Sequence, residues 1–462
     1  MNKTVVIDIV GLSASVLGEC TPFLQQYIAK RRLTYVRPVL PAVTTTAQSC
    51  YVTGKWPSEH GIVGNGWYDR QDAEIKFWKQ SNRLVEAEKI WERAKRDDPG
   101  FTCSKMFWWY NMYAAVDYSV TPRPQYHADG LKMPDCYSHP ASLRDELHAK
   151  FGTFPLFSFW GPQTSIKCSR WIADASMYVD DKHDPTLTLI YLPHLDYGLQ
   201  KFGVDFAKIG ADLREIDDLV GELVKFYEQK GAEVILLSEY GINTVSRPIY
   251  INRALREAGL IAVRTEVGRE LLDAGASAAF AAPDHQIAHV YVSDPANIPK
   301  VKTLIEALPG VAEVLDEAGK KAHHLDHERS GDLVAVAKPD SWFAYYYWLD
   351  DAKKPDYAQL VDIHRKPGYD PVELFMDQTN PLIKAKAGYK LARKLLGFRY
   401  LMNVISLDAT LVKGSHGGVN IGKEYYPVLI TDQPTPQPEI DAIDVYDVIW
   451  QTLTKPVLAP NA

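Results

Sequence analysis

Short apolar runs punctuate the chain at Val5–Val10, Thr186–Leu192, Val234–Leu237, His289–Val292, Leu333–Ala337 and Pro427–Ile430. Runs of this length, bounded by polar residues, are strand candidates. Between several of them the apolar residues fall at helical spacing. The clearest case is Asp205–Lys230, where Ile209, Leu213, Ile216, Leu219, Leu223 and Phe226 recur on one face and Gly231 stands where a helix stop is expected. Strands alternating with helices predict an α/β fold, a largely parallel sheet sandwiched by helices. In such sheets ligands bind beyond the carboxyl ends of the strands, which points to Asp8, His194, Asp196 and Glu239.

Two segments depart from this pattern. Phe107–Tyr113 and Trp342–Trp348 are denser in aromatics than an ordinary strand. Core or subunit-contact surface is the first expectation for them, and a pocket wall the alternative, with Trp108, Trp109 or Tyr110 stacking a base or an apolar leaving group. The 462 residues fit two or three domains or one large enzyme with insertions. The arrangement expected is a single domain over 1–455 with aromatic-rich insertions around 66–185 and 340–412.

With 46% hydrophobic and 24% charged residues the chain can bury a sizeable core. Its net charge is −7 and no Lys/Arg tract exceeds Lys30-Arg31-Arg32, which argues against a nucleic-acid polymer as partner. Small anionic substrates remain, held by a local cation. The apolar start at Val5 is too short for a signal sequence and is interrupted by Asp8, and no stretch reaches membrane-spanning length. Five cysteines without a C-x-x-C pair argue against a complete disulfide framework, so a reducing cytoplasm is expected. A homodimer stays open.

The densest chemistry lies in Pro41-Ala-Val-Thr-Thr-Thr-Ala-Gln-Ser-Cys-Tyr-Val-Thr-Gly54, followed by Trp56-Pro-Ser-Glu-His-Gly-Ile-Val-Gly-Asn65. This stretch resembles the nucleophile segment of the nucleotide pyrophosphatase/phosphodiesterase branch of the alkaline phosphatase superfamily. There a Thr opens a helix, Val-Thr-Gly closes it and His-Gly-Ile-x-x-Asn follows. The resemblance implies that Thr44 is the nucleophile and that Asn65 donates to a phosphoryl oxygen. A hydroxyl at a helix amino terminus also lies where free N–H groups favour a phosphoryl group. A plain helix cap is the bland alternative for Thr44.

The same resemblance implies metal ligands. Asp8, a carboxylate inside an apolar run, matches a family ligand, and burying it is costly unless it is paired or coordinated. Asp196 matches an Asp that the family follows four residues later with His; here that residue is Gln200, whose amide oxygen suits manganese, magnesium or calcium better than zinc. Glu239 and Tyr240 stand where the family has an Asp-His pair on the second metal. His416, in Lys413-Gly-Ser-His-Gly-Gly418, matches a late His-Gly pair. His194, His285, His324 and His364 are candidates to replace the missing ligands. His364, beside Arg365, Lys366 and Asp370, could instead hold substrate phosphate, and His289 is expected in a strand with a core or edge role.

The expectation is a metal-dependent hydrolase of phosphate esters with one or two divalent ions, zinc by resemblance. It would act on phosphodiesters or nucleotide pyrophosphates through a phospho-threonine intermediate. A metal-binding non-catalytic homologue and a phosphomonoesterase or phosphonate hydrolase are the alternatives. A sulfatase is disfavoured, because position 44 is neither Cys nor Ser.

Overall fold

A computed structural model gives the fold and describes residues 1–128, 131–398, 400–433 and 437–455. Nine strands form the central sheet, in the order Glu439–Asp441, Arg32–Arg37, Val428–Thr431, Glu233–Leu237, Thr4–Ile9, Leu187–Leu192, Cys103–Met106, Tyr118–Pro122 and Cys136–His139. The five from Glu233–Leu237 to Tyr118–Pro122 run parallel. Antiparallel strands flank them on each side, Val428–Thr431 and Cys136–His139.

Period-two alternation sends successive side chains of each central strand to opposite faces. Val5, Ile7 and Ile9 join a core containing residues of the helices Lys167–His183 and Phe206–Gln229. Val6 joins the other, with the helices Thr44–Thr53, Ile90–Asp97 and Val445–Thr454. Asp8 has the parity of Val6, and Glu239 that of Ile235 and Leu237, so the sheet aims both carboxylates at the face covered by the Thr44 helix. The long helix begins one residue inside the expected Asp205, whose carboxylate caps it by accepting from the Ala207 N–H at 3.2 Å.

Not every apolar run entered this sheet as expected. His289–Val292 lies in Ile287–Val292, which with Ala279–Asp284, Val311–Leu315 and Leu333–Ala337 forms a separate antiparallel sheet. The run at Pro427–Ile430 does enter the central sheet, antiparallel to its neighbours. An apolar run records burial, but neither its direction nor its partner. The stretch 66–185, expected as an insertion, contributes three strands of the central sheet, Cys103–Met106, Tyr118–Pro122 and Cys136–His139. Trp342–Trp348 is buried throughout against the smaller sheet, as core and not a pocket wall. Trp108 is likewise core.

Candidate active site

Thr44 is the first residue of its helix, and Gly54 ends that helix in the left-handed conformation (φ 63°) that glycine adopts without strain. The Thr44 hydroxyl lies 3.2 Å from the Tyr240 hydroxyl, which in turn donates to Asp196 Oδ1 at 3.2 Å. One turn along the helix, on the same side, Gln48 Nε2 reaches Asp8 Oδ2 at 3.3 Å and also donates to Glu239. Gln48 Oε1 accepts from the backbone N–H of Trp109 at 2.6 Å. The residue after Tyr240 fixes the local backbone: a Cβ at Gly241 would sit 2.2 Å from the Tyr425 carbonyl, so only glycine allows that approach.

Asp196 is already doubly bonded, because Gln200 Nε2 donates to its other oxygen at 2.6 Å and Tyr369 donates to Gln200 Oε1 at 3.0 Å. His416 Nδ1 bonds the Ala42 carbonyl at 2.8 Å, and its Nε2 stands 3.9 Å from Asp196 Oδ1. Four rings follow one another here: Tyr240 stacks on His416 at 3.5 Å, His416 meets His285 tilted by 37° at 3.7 Å, and His285 stacks on Tyr369 at 3.7 Å between centroids.

The cluster is nearly shut off from solvent, with Thr44 only 3% exposed and Asp8 fully buried. Burial, and after it the nearby Glu239 carboxylate, holds Asp8 well above the usual carboxylate range. Burial raises Glu239 as well and pushes Asp196 up to about 7. It lowers His416 to about 3 and holds His285 well below the ordinary imidazole range, so both rings are neutral. Tyr240 is raised well above its ordinary value, again by burial, and stays a neutral phenol.

Whether these residues fit a cation is answered by their free atoms. Asp8 Oδ1, Glu239 Oε2, His416 Nε2 and His285 Nδ1 are buried with no hydrogen-bond partner among the described residues. Unpaired carboxylate oxygens and neutral imidazole nitrogens in a buried site are costly unless something positive meets them. The donor set fits a divalent cation at Asp8, Glu239 and Thr44, with a second position between His416 and Asp196.

Asn65 is oriented from three sides. Its backbone N–H and its Nδ2 donate to Asp284 at 2.8 and 3.1 Å, while its Oδ1 accepts from the Thr45 N–H at 3.2 Å. One amide hydrogen remains beside the helix start. Burial pushes Asp284 up to about 7 despite these bonds. If Asp284 fixes Asn65 as a donor, Asp284→Ala should lower kcat about 10- to 100-fold, and its combination with Asn65→Ala should cost little more than Asn65→Ala alone. Steady-state kinetics of the two single variants and the double variant check this.

Three candidates, His194, His324 and His364, lie elsewhere. His194 is buried at the start of Asp196's helix, but its Nε2 faces Glu215 at 3.3 Å and Asp212 at 3.8 Å on the neighbouring helix. Sitting just past a strand end did not decide the direction of its ring. His364 Nδ1 lies 3.4 Å from the Phe77 carbonyl. The cations beside it are already neutralised: Lys366 bonds Asp370 and Glu373 at 2.6 and 2.7 Å, and Arg365 bonds Asp356 at 3.0 Å. They therefore do not form the phosphate clamp expected of them. His289, in its strand, is fixed between the Val63 carbonyl and the Gly331 N–H.

Sequence reasoning missed Gln48, Asp284 and Tyr369. Gln48 carried a signal, four residues after Thr44 on one helix face, and Asp284 stood at a strand end beside the more conspicuous His285. Tyr369 carried none.

Residues 4–370 match the family model described as type I phosphodiesterase / nucleotide pyrophosphatase. An uncharacterised pyrophosphatase/phosphodiesterase of Schizosaccharomyces pombe is 23% identical over 258 residues, 53% of this chain and 46% of that protein. Human bis(5'-adenosyl)-triphosphatase ENPP4 is 24% identical over 245 residues, 50% of this chain and 45% of that one. The match thus spans less than half the length of these two curated relatives. Among solved structures, murine ectonucleotide pyrophosphatase/phosphodiesterase 5, in an inactive form in complex with AMP, superposes with TM-score 0.58 at 15% identity, covering 100% of this chain and 97% of that one. Phosphonoacetate hydrolase from Sinorhizobium meliloti 1021, in complex with phosphonoacetate, gives TM-score 0.58 at 15% identity, covering 98% and 96%. Shared fold and matched sequence together place this chain in the type I phosphodiesterase/nucleotide pyrophosphatase family.

Proposed function

We propose that the protein is a cation-dependent phosphodiesterase that uses Thr44 as its nucleophile. The observation that carries this reading is the Thr44 hydroxyl, at a helix amino terminus and beside a buried Asp8–Glu239 pair whose free oxygens call for positive charge. Asp8, Glu239 and Thr44 would hold a divalent cation, whose charge would acidify the Thr44 hydroxyl and offset that of the phosphate. The oxygen donors suit manganese or magnesium, and the His416 nitrogen beside Asp196 suits zinc.

The chain's own groups do the rest. Thr44 Oγ1 attacks phosphorus in line, and the bond to the leaving oxygen breaks opposite it. The Thr44 proton passes to Tyr240 as the Tyr240 proton passes to Asp196, along the two 3.2 Å contacts. The leaving oxygen takes its proton from solvent. The free hydrogen of Asn65 donates to a non-bridging oxygen, aided by the helix amino terminus. Water then displaces Thr44 from phosphorus and gives a proton to solvent, while Asp196 returns its proton through Tyr240 to the departing Thr44 oxygen. Nucleotide-like diesters are the proposed substrates, in keeping with relatives named for pyrophosphatase and phosphodiesterase activity and one solved with AMP. Five free, buried thiols support a reducing, cytoplasmic setting.

The second reading is cation binding without turnover. It is favoured by the near-complete burial of Thr44 and by the saturation of Asp196 through Gln200 and Tyr240. One experiment separates the two: cation content by elemental analysis, with hydrolysis of a nitrophenyl phosphodiester by wild type and Tyr240→Phe. The relay predicts that Tyr240→Phe retains its cation and loses about 10- to 100-fold in kcat. Undiminished kcat removes Tyr240 from the proton path, and bound cation with no turnover in wild type establishes the second reading.

A further inference from the structure

Between Asp377 and Asp408 lie 30 residues without a single Asp or Glu and with six cations, Lys384, Lys386, Lys390, Arg393, Lys394 and Arg399, in a chain of net charge −7. Much of this stretch is the helix Ile383–Leu395. Its inner side is narrow. Ile383 is buried, Ala387 packs with it against the core of the smaller sheet, and Lys386 Nζ bonds the Asn403 carbonyl at 2.7 Å. On the outer side Leu382, Ala385, Tyr389, Ala392, Leu395 and Leu396 recur three or four residues apart, and all face solvent. Leu395 is 88% exposed and Leu396 74%.

A surface helix normally turns its apolar stripe to the core and its charges to water. This one also carries an apolar stripe outward, bordered by Lys384 on one side and Arg393 on the other. Contiguous exposed apolar surface of this kind marks an interaction face. We propose that the helix docks the protein on the surface of an anionic lipid bilayer, with the outer stripe among the acyl chains and the flanking cations at the headgroups. Charge selects this occupant. A second copy related by a twofold axis would set the same cations against each other, and a nucleic acid would leave the apolar stripe in water. At about 1.5 Å per residue the helix is too short to cross a bilayer and would lie in its plane. Consistently, no described helix is long and apolar enough to span one.

The test is flotation of the full-length chain with phosphatidylcholine vesicles, with and without about one third phosphatidylglycerol. Wild type should float with the anionic vesicles and stay behind with the neutral ones. Leu395→Glu with Leu396→Glu should weaken that binding about tenfold or more, and since both side chains are exposed the thermal unfolding temperature should not move. Three results would overturn the proposal. They are wild type remaining behind with both vesicle types, equal flotation with both, and equal binding of wild type and double variant. A dimer that the double variant dissolves, without flotation, would assign the face to a second copy.

Discussion

Thr44→Ala should lower turnover of a phosphodiester by at least about a thousandfold, because removing a nucleophile removes the covalent route and not merely a binding contact. Cation content should stay close to that of wild type, since Asp8 and Glu239 keep their free oxygens. Folding should suffer little, because the 3.2 Å hydrogen bond between this hydroxyl and Tyr240 is worth about 1 kcal/mol. Thr44→Ser, which restores the hydroxyl, should recover much of the rate. Turnover by Thr44→Ala equal to that of wild type, at equal cation content, would remove Thr44 from the chemistry.

Asp8→Asn should have opposite effects on activity and on stability. Asn cannot supply the charge that holds a cation with Glu239, so turnover and the cation-induced rise in Tm should both be lost. Without added cation, however, the variant should be the more stable protein by a few degrees in Tm, because a buried pair of carboxylates becomes a single one. The pH dependence fixes the sign. Burial and Glu239 raise Asp8 in the folded state. The stability contributed by its protonated form is therefore complete below its ordinary value of about 3.8 and is lost as pH rises through the raised one. Asn has no proton to lose, so its advantage should grow between about pH 5 and pH 8. Thermal unfolding in chelator at the two pH values measures it, and a variant less stable than wild type at both would contradict this assignment of Asp8.

The central architecture was legible because strands buried on both faces read as apolar runs, and Asp8 was conspicuous as the one charge inside such a run. The segment from Thr44 to Asn65 was legible because helix start, helix stop and the following turn are all local. What was hidden depends on contacts between distant residues. That the Leu333–Ala337 strand leaves the parallel sheet, that His194 turns toward Glu215, and that Lys366 is consumed by Asp370 and Glu373 are facts of tertiary packing. Tyr240 shows the same limit from the other side. In the sequence it is a poor metal ligand in a ligand's place, and only the fold sets its hydroxyl between Thr44 and Asp196.

The most direct test of cation-dependent catalysis at Thr44 is hydrolysis of bis(4-nitrophenyl) phosphate by the wild-type chain, first stripped by chelator and then supplied with manganese, magnesium or zinc. Turnover should be absent in the stripped protein and restored by at least one of these ions. Ions that bind and stabilise the protein while the diester stays intact under every condition would contradict the proposed activity.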